Sequence, residues 1–184
     1  MCRSTRLGWL LLAVTLAGTA TAARAEVVDS EAGGFTVSSV LGVDAPADDV
    51  FRAATRQVGT WWHPDHTFSG DAGNLRIEAR ANGCFCEKLD NGGEVRHLTV
   101  VNVEPGRMLR MTGGLGPLQG LAVTGTLTLA FSEEDGRTQV ALTYAVAGYR
   151  PGGLAEWAAA VDGVLSDQLA RLKRFVETGS PDAD

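Results

Sequence analysis

The feature that most constrains this chain is one long amphipathic segment near its end, at residues 154–178. The segment contains no proline, and its apolar side chains recur at spacings of three and four residues, the period of an α-helix. Because the rest of the chain has strand-like patterns and no second long helix, this stripe has to pack against a sheet. Such packing produces either a filled core or an enclosed pocket. The stripe consists of Leu154, Trp157, Ala158, Val161, Leu165, Gln168, Leu169, Leu172 and Val176.

Between residues 74 and 149 the pattern changes to a period of two, which is typical of strands with one buried face. Turn signals such as Asn82-Gly83 and Asp135-Gly136 divide this region into about six short strands. An alternating segment at residues 35–43 adds one more strand, and a short helical pair follows it, with Asp44 as the expected cap. The sequence therefore predicts an antiparallel sheet of seven strands.

The first 25 residues have the pattern of a secretory signal peptide. Arg3 and Arg6 precede an apolar run, and a stretch of small residues ends at Ala25, after which we expect cleavage. The apolar run is shorter than the roughly 20 residues of a membrane span, although an uncleaved anchor is the alternative. We therefore expect no stable membrane anchor, a periplasmic or secreted protein, and a single domain over residues 26–184.

The chain is acidic, with 16 Lys and Arg against 22 Asp and Glu and a net charge of −6. Removal of residues 1–25 takes away three arginines and no acid, which leaves 13 positive and 22 negative residues, or a net charge of −9. An acidic domain repels phosphate backbones, and no cluster of basic and aromatic residues overrides this. We therefore expect no nucleic-acid partner.

Several local motifs occur in a recognisable order along the chain. They are Asp44-Ala45-Pro46-Ala47-Asp48-Asp49-Val50-Phe51 leading to Trp61-Trp62, Gly83-Cys84-Phe85-Cys86-Glu87, Val100-Val101-Asn102-Val103-Glu104-Pro105 and Gly125-Thr126-Leu127-Thr128-Leu129. Together they resemble the START-like or SRPBCC superfamily, in the branch related to polyketide cyclases and heat-shock ATPase activator domains. The resemblance implies an α+β helix-grip fold, in which a curved seven-stranded antiparallel sheet wraps around the long C-terminal helix.

The resemblance also implies a cavity between sheet and helix that binds a small apolar molecule such as a lipid, a sterol or a polyketide. Burial of apolar ligand surface contributes about 25 cal/mol per Å² to such binding. The alternative for each candidate residue is that it only packs in the core. The candidate ligand-binding residues are Trp61, Trp62, Phe85, Leu115, Leu127, Leu129, Phe131, Leu142, Tyr144, Trp157 and Val161.

Glu87 and His97 are the candidate acid and base of an enzyme. Burial would raise the pKa of Glu87, and a protonated His97 or Arg110 nearby would lower it. Either arrangement supplies a group for a cyclase-like or dehydratase-like reaction. The alternative is a solvent-facing Glu87 at a strand edge. Residues 113–120, which contain four glycines, act either as a flexible lid over the cavity or as a long hairpin turn.

His63, His66, Cys84 and Cys86 raise the alternative of a metal site, but their spacings match no common zinc signature. We therefore expect no metal, and the sequence indicates no cofactor. Cys84 and Cys86 are expected to be small core residues, since a bridge between residues two apart lies near the Cα limit of about 6.8 Å. Free thiols, a bridge and a redox role all stay open in an exported protein.

Three classes of function follow from these observations, and the oligomeric state is left open. A carrier or sensor of a small hydrophobic molecule is the first. A cyclase-like or dehydratase-like enzyme is the second, and a protein-binding module like the heat-shock activator domains is the third.

Overall fold

The computed structural model describes residues 24–182, which form one antiparallel sheet and three α-helices. The predicted signal peptide lies outside the described residues, apart from the backbone of its last two. The strands are β1 (Arg24–Glu31), β2 (Gly34–Val43), β3 (Leu75–Ile77), β4 (Cys84–Lys88), β5 (Glu94–Glu104), β6 (Met108–Gly113), β7 (Ala122–Glu134) and β8 (Arg137–Tyr149). The helices are α1 (Ala47–Arg56), α2 (Val58–Trp61) and α3 (Trp157–Thr178).

The strands are arranged in the order β1-β2-β8-β7-β6-β5-β4-β3, and every neighbouring pair is antiparallel. Two of the predicted turns have a non-glycine residue with positive φ, Asn82 at 62° and Asp135 at 51°, as the tight connections require. The predicted α+β helix-grip architecture is therefore confirmed.

The sheet of the described residues has eight strands, so the predicted number of seven is wrong by one. The additional strand is β1, which pairs with β2 at the edge of the sheet, from Arg24 opposite Val40 to Glu31 opposite Gly34. Most of its side chains are exposed, and Val28 is 58% exposed. An edge strand of this kind lacks the alternation of buried and exposed residues that marks the other strands.

The first backbone amide of α1 is capped by a side chain from a distant strand and not by a residue that precedes the helix. Glu133 of β7 accepts a hydrogen bond from the Ala47 amide at 2.7 Å, and its charge suits the positive end of the helix. The prediction that Asp44 caps this helix is wrong, because the Asp44 carboxylate pairs instead with Arg137 at 2.6 Å.

Helix α3 lies on the concave face of the sheet, and the predicted apolar stripe is the face that it buries. Leu165, Leu169 and Leu172 are at most 2% exposed, whereas Trp157 and Val161 near the start of the helix are half-buried. Leu154 is also buried but precedes the helix. Within residues 24–182, we find no helix that combines the length and the apolar character needed to cross a membrane.

Helix α1 closes one end of the concave face. Phe51 of α1 meets Phe131 of β7 edge to face, with ring centroids 5.5 Å apart. This contact fills the space between sheet and helices at that end with side chains. The other end of the concave face, near the start of α3, is where space remains.

Candidate functional site

A cavity of about 310 Å³ lies between the sheet and the first half of α3. It reaches the surface, because Phe68 and Ala160 line it and are both exposed. Most of the lining is apolar, as in small-molecule sites generally. The lining residues are Trp62, Asp65, His66, Thr67, Phe68, Leu75, Phe85, His97, Leu115, Gly116, Pro117, Leu118, Tyr144, Trp157, Ala160, Val161, Val164 and Leu165.

Six of the eleven residues predicted to bind a ligand line this cavity: Trp62, Phe85, Leu115, Tyr144, Trp157 and Val161. The other five belong to the core and not to the cavity wall: Trp61, Leu127, Leu129, Phe131 and Leu142. The indole of Trp61 donates to the Ala53 carbonyl at 3.0 Å and so fastens α2 to α1. The sheet residues of the second group are each 4 to 6% exposed.

Tyr144 ties the sheet to the glycine-rich segment, residues 113–120. Its hydroxyl donates to the Gly113 carbonyl at 2.9 Å and accepts from the Leu115 amide at 3.0 Å. The ring passes directly over Gly125 on the neighbouring strand, where an added Cβ would lie 2.4 Å from the ring carbon Cε2. Burial raises the pKa of Tyr144 to about 12, so the hydroxyl keeps its proton at physiological pH.

The glycine-rich segment forms part of the cavity wall and is more structured than an open hairpin turn. It contains a 3-10 helix at Gly116–Gly120, and Leu118 within it is 1% exposed. Leu115 and Pro117 face the cavity beside it. The hydrogen bond that the Tyr144 hydroxyl donates to Gly113 and the one that it accepts from Leu115 hold the start of this segment in place.

Glu87 is fully buried on β4, so the solvent-facing alternative is wrong. Its carboxylate accepts hydrogen bonds from the Ser69 amide at 2.5 Å, the Phe68 amide at 3.1 Å and Nε2 of His97 at 2.9 Å. Burial by itself would raise the pKa of Glu87, but the hydrogen bonds from Phe68, Ser69 and His97 outweigh it and lower the pKa below its ordinary value. The group is therefore a carboxylate anion, and it lies behind the cavity wall.

His97 forms part of the cavity wall itself and is 3% exposed. It is the extra residue of a β-bulge, because Phe85 and Cys86 are consecutive on β4 but pair with Leu98 and Arg96 on β5. The bulge turns both His97 and Leu98 inward, where a regular strand would bury only one of them. The structure therefore brings together the two residues that were predicted as an acid and base pair.

The imidazole of His97 has one partnered and one unpartnered nitrogen. Nε2 faces the Glu87 carboxylate, whereas Nδ1 is buried with no hydrogen-bond partner among the described residues. Burial lowers the pKa of His97, and the charge of Glu87 offsets this only in part. Since a carboxylate can only accept, the proton of the neutral ring is assigned to Nε2, which makes Nδ1 a hydrogen-bond acceptor.

Phe68 at the mouth of the cavity was not predicted as a site residue. Its ring stacks on His97 with centroids 5.7 Å apart while 53% of the residue stays exposed. On the other side of the site, Phe85 contacts the His97 ring at 5.2 Å. Phe68 is the one large apolar residue in the turn-rich stretch 65–73, and a single apolar residue of this kind is no signal of a site in the sequence.

Cys84 and Cys86 form a disulfide, which corrects the expectation of two separate core thiols. Their Cα atoms are 5.4 Å apart, compared with about 6.7 Å for two residues of a regular strand. This separation lies within the range of about 4.4 to 6.8 Å that is usual for disulfides. His63 and His66 lie with ring centroids 5.6 Å apart, but residues 24–182 contain no group of three or more potential ligands that could hold a metal ion.

The chain is similar in sequence to a known protein family and in fold to several solved structures. The sequence model of a family described as polyketide cyclase / dehydrase and lipid transport matches residues 34–177. No curated protein matches the chain.

Several solved structures share the fold. A conserved protein of unknown function, EF2215 from Enterococcus faecalis, is 17% identical with a TM-score of 0.60, over 90% of this chain and 81% of that one. CalU16 from Micromonospora echinospora is 18% identical with a TM-score of 0.56, over 89% of this chain and 88% of that one. The Aha1 dimer from Colwellia psychrerythraea is 17% identical with a TM-score of 0.53, over 78% of this chain and 97% of that one. At these identities the likeness concerns the fold alone.

Proposed function

The chain belongs to the polyketide cyclase, dehydrase and lipid transport family, and we propose that it is an exported carrier or sensor of a small, mostly apolar molecule. The single observation that carries this proposal is the cavity of about 310 Å³ between the sheet and α3. A cavity with aromatic and aliphatic walls binds apolar surface by releasing water, at about 25 cal/mol per Å². The family description supports a lipid-like or polyketide-like ligand.

The two walls of the cavity suit reversible binding. On the sheet side, Phe85 and Tyr144 are at most 2% exposed and are held by neighbouring strands. On the helix side, Ala160 is exposed and Val161 and Val164 are half-buried, so a ligand can enter along α3 without opening the sheet. A preformed apolar site with an accessible side fits a protein that binds and releases its cargo.

Binding can be tested with a neutral fluorescent probe, N-phenyl-1-naphthylamine, whose emission rises in apolar surroundings. Ala160→Phe places a ring at the cavity wall, and Ala159→Phe places the same ring on the adjacent exposed position, which does not line the cavity. We expect Ala160→Phe to weaken probe binding at least tenfold and Ala159→Phe to leave it within twofold. Equal binding by the two variants, or no binding by the unmodified protein, would overturn the proposal.

Export is supported by the sequence pattern of residues 1–25 and carries its own test. Cleavage after Ala25 removes the first two residues of β1 and leaves six of its eight. We expect protein from a periplasmic fraction or the culture medium to begin at Glu26 when its N-terminus is sequenced. Intact Met1 in protein from the cytoplasmic fraction alone would contradict export.

A second candidate function is a proton-transfer enzyme, and the Glu87–His97 pair favours it. In such a reaction Nδ1 of His97 takes a proton from a carbon next to a carbonyl, and the electron pair of the broken C–H bond passes to the carbonyl oxygen to give an enolate. The Glu87 carboxylate stabilises the resulting imidazolium through Nε2. After the imidazolium exchanges its proton with deuterated water, the return of a deuteron to the carbon restores the ketone. The test is deuterium exchange at the α-carbons of 2-tetralone, an apolar ketone, followed by NMR in deuterated water. Acceleration that Glu87→Gln abolishes would support the enzyme, and exchange at the buffer rate would exclude this chemistry for that ketone.

The third class, a protein-binding module, has less support from the described residues. A cavity filled by side chains beside a broad apolar surface would favour it, and the cavity is not filled. The exposed large apolar residues of the described chain are spread over β1, the stretch after α2, β5 and β8: Val27, Val28, Phe68, Val101 and Tyr149. The carrier therefore remains the function that the geometry supports best.

A further inference from the structure

The polar atoms of the cavity wall differ in how far the protein itself satisfies them. Tyr144 uses its hydroxyl for both hydrogen bonds to the glycine-rich segment. Asp65 and His66 are exposed at the mouth, and the hydroxyl of Thr67 donates to a backbone carbonyl. His97 alone among these residues is buried with a ring nitrogen, Nδ1, that lacks a partner. A buried acceptor without a donor destabilises the folded chain, so a ligand that supplies the donor gains affinity.

The hydrogen-bonding character of this nitrogen follows from Glu87. The carboxylate already accepts from the Phe68 and Ser69 amides, and its remaining contact is with Nε2 of His97, which must donate. Nδ1 of the neutral ring can then only accept. The complementary ligand group is therefore a donor such as a hydroxyl, and an ether or ketone oxygen does not fit.

The charges around the cavity argue against an anionic ligand. No Lys or Arg is among the described residues that line it, and Asp65 at the mouth carries a carboxylate. Arg150 lies over the Trp157 ring at 5.5 Å, but it donates to the Gly153 carbonyl and does not line the cavity. A carboxylic acid would have to give up its hydration without gaining a positive partner.

We propose that the molecule bound in the cavity is a neutral apolar compound that carries a hydroxyl group, and that this hydroxyl donates a hydrogen bond to Nδ1 of His97. The inference rests on the proposed function, because it assigns a ligand class to the same cavity. Because Nδ1 is buried, a side chain of the cavity wall has to move before a ligand can reach it, and the exposed ring of Phe68, which stacks on His97 at the mouth, is placed to do so. Glu87 acts as a positioning residue that fixes which nitrogen carries the proton.

The test compares naphthalene probes of one shape and different polar groups. 2-Naphthol donates a hydrogen bond, 2-methoxynaphthalene only accepts, 2-methylnaphthalene does neither, and 2-naphthoate is anionic. We expect the unmodified protein to bind 2-naphthol about 3- to 10-fold more tightly than the methyl and methoxy probes, the range of one net hydrogen bond. We expect 2-naphthoate to bind most weakly.

His97→Phe removes the acceptor and keeps a ring, and His63→Phe is the matched control, because His63 does not line the cavity. The preference for 2-naphthol should disappear in His97→Phe and persist in His63→Phe. Since His97→Phe also takes a donor from Glu87, NMR of the ¹⁵N-labelled unmodified protein gives a second measurement that needs no variant. Addition of 2-naphthol should shift the Nδ1 resonance of His97, and 2-methylnaphthalene should leave it in place.

The outcomes separate this inference from the function on which it rests. Equal affinity for the naphthol, methoxy and methyl probes, or an unchanged Nδ1 resonance, would overturn the hydroxyl assignment while the apolar binding site stands. Tighter binding of 2-methoxynaphthalene than of 2-naphthol would also overturn it, because the ring would then be donating. If none of the neutral probes binds, both the binding function and the inference fail.

Discussion

Replacing Tyr144 by Phe should release the glycine-rich segment without disturbing the core around the ring. The hydroxyl makes two hydrogen bonds to this segment, to the Gly113 carbonyl at 2.9 Å and from the Leu115 amide at 3.0 Å. Phenylalanine keeps the same ring over Gly125, so the packing is preserved and only the two bonds are lost. The perturbation is therefore confined to one atom.

The expected magnitude follows from these two bonds. Each intramolecular hydrogen bond contributes a net 0.5 to 1.5 kcal/mol, so their loss costs about 2 kcal/mol. Since 1.4 kcal/mol corresponds to a factor of ten, opening of the segment should become about 30-fold more frequent. The pKa of Tyr144 is about 12, so the hydroxyl stays protonated and the effect should not change between about pH 6 and 9.

Amide hydrogen exchange read by NMR measures this opening directly at the Leu115 amide, with chemical denaturation as a check on global stability. Tyr149→Phe is the matched control, because Tyr149 lies on the same strand but is 71% exposed. An exchange rate at Leu115 that changes less than threefold in Tyr144→Phe would refute the reasoning, as would an equal change in the control.

Three further predictions concern stability. Folding lowers the pKa values of both His97 and Glu87, so at falling pH the unfolded chain takes up each proton before the folded chain does. The free energy of unfolding should therefore fall as the pH drops below about 6.5, where His97 of the unfolded chain is protonated, and again below about 4.5, where Glu87 of the unfolded chain is protonated. A plateau from pH 7 to 4 in urea titrations would contradict this. Replacing Cys84 and Cys86 by Ser should cost about 1.5 kcal/mol, the loop-entropy contribution of a three-residue ring, and dithiothreitol should destabilise only the unmodified protein. Glu133→Gln removes the charged cap of α1 and should cost about 1 kcal/mol in thermal or urea unfolding; no loss would show that the cap is redundant.

Much of the fold could be predicted because it depends on local periodicity. The alternation at residues 123–131 and the stripe of α3 each report which side of an element is buried, and the structure has both as expected. Strand β1 could not be predicted in the same way, because an exposed edge strand is held by backbone hydrogen bonds to β2 and leaves no burial pattern.

The site could be predicted only in part. Periodicity shows which face of the sheet a side chain lies on, but not whether that part of the face is filled core or cavity wall. Leu129, Phe131 and Tyr144 all point to the concave side, yet the first two lie in the filled core and only Tyr144 reaches the cavity. The burial of Glu87 depends on the Phe68–Ser69 backbone folding back onto β4, and the inward turn of His97 depends on a bulge. Neither contact leaves a local signal in the sequence.

The cavity has one buried wall, on the sheet, and one partly exposed wall, on α3. The wall on α3 is therefore the better place for substitutions that alter ligand preference. Substitutions at Ala160, Val161 or Val164 reshape the binding space from a partly solvated helix surface, and at the exposed Ala160 a change usually shifts stability by no more than about 0.5 kcal/mol. Enlarging the space from the opposite wall would disturb Tyr144 and, with it, the backbone of the glycine-rich segment. A library for new cargo should therefore diversify the helix and leave the strands alone.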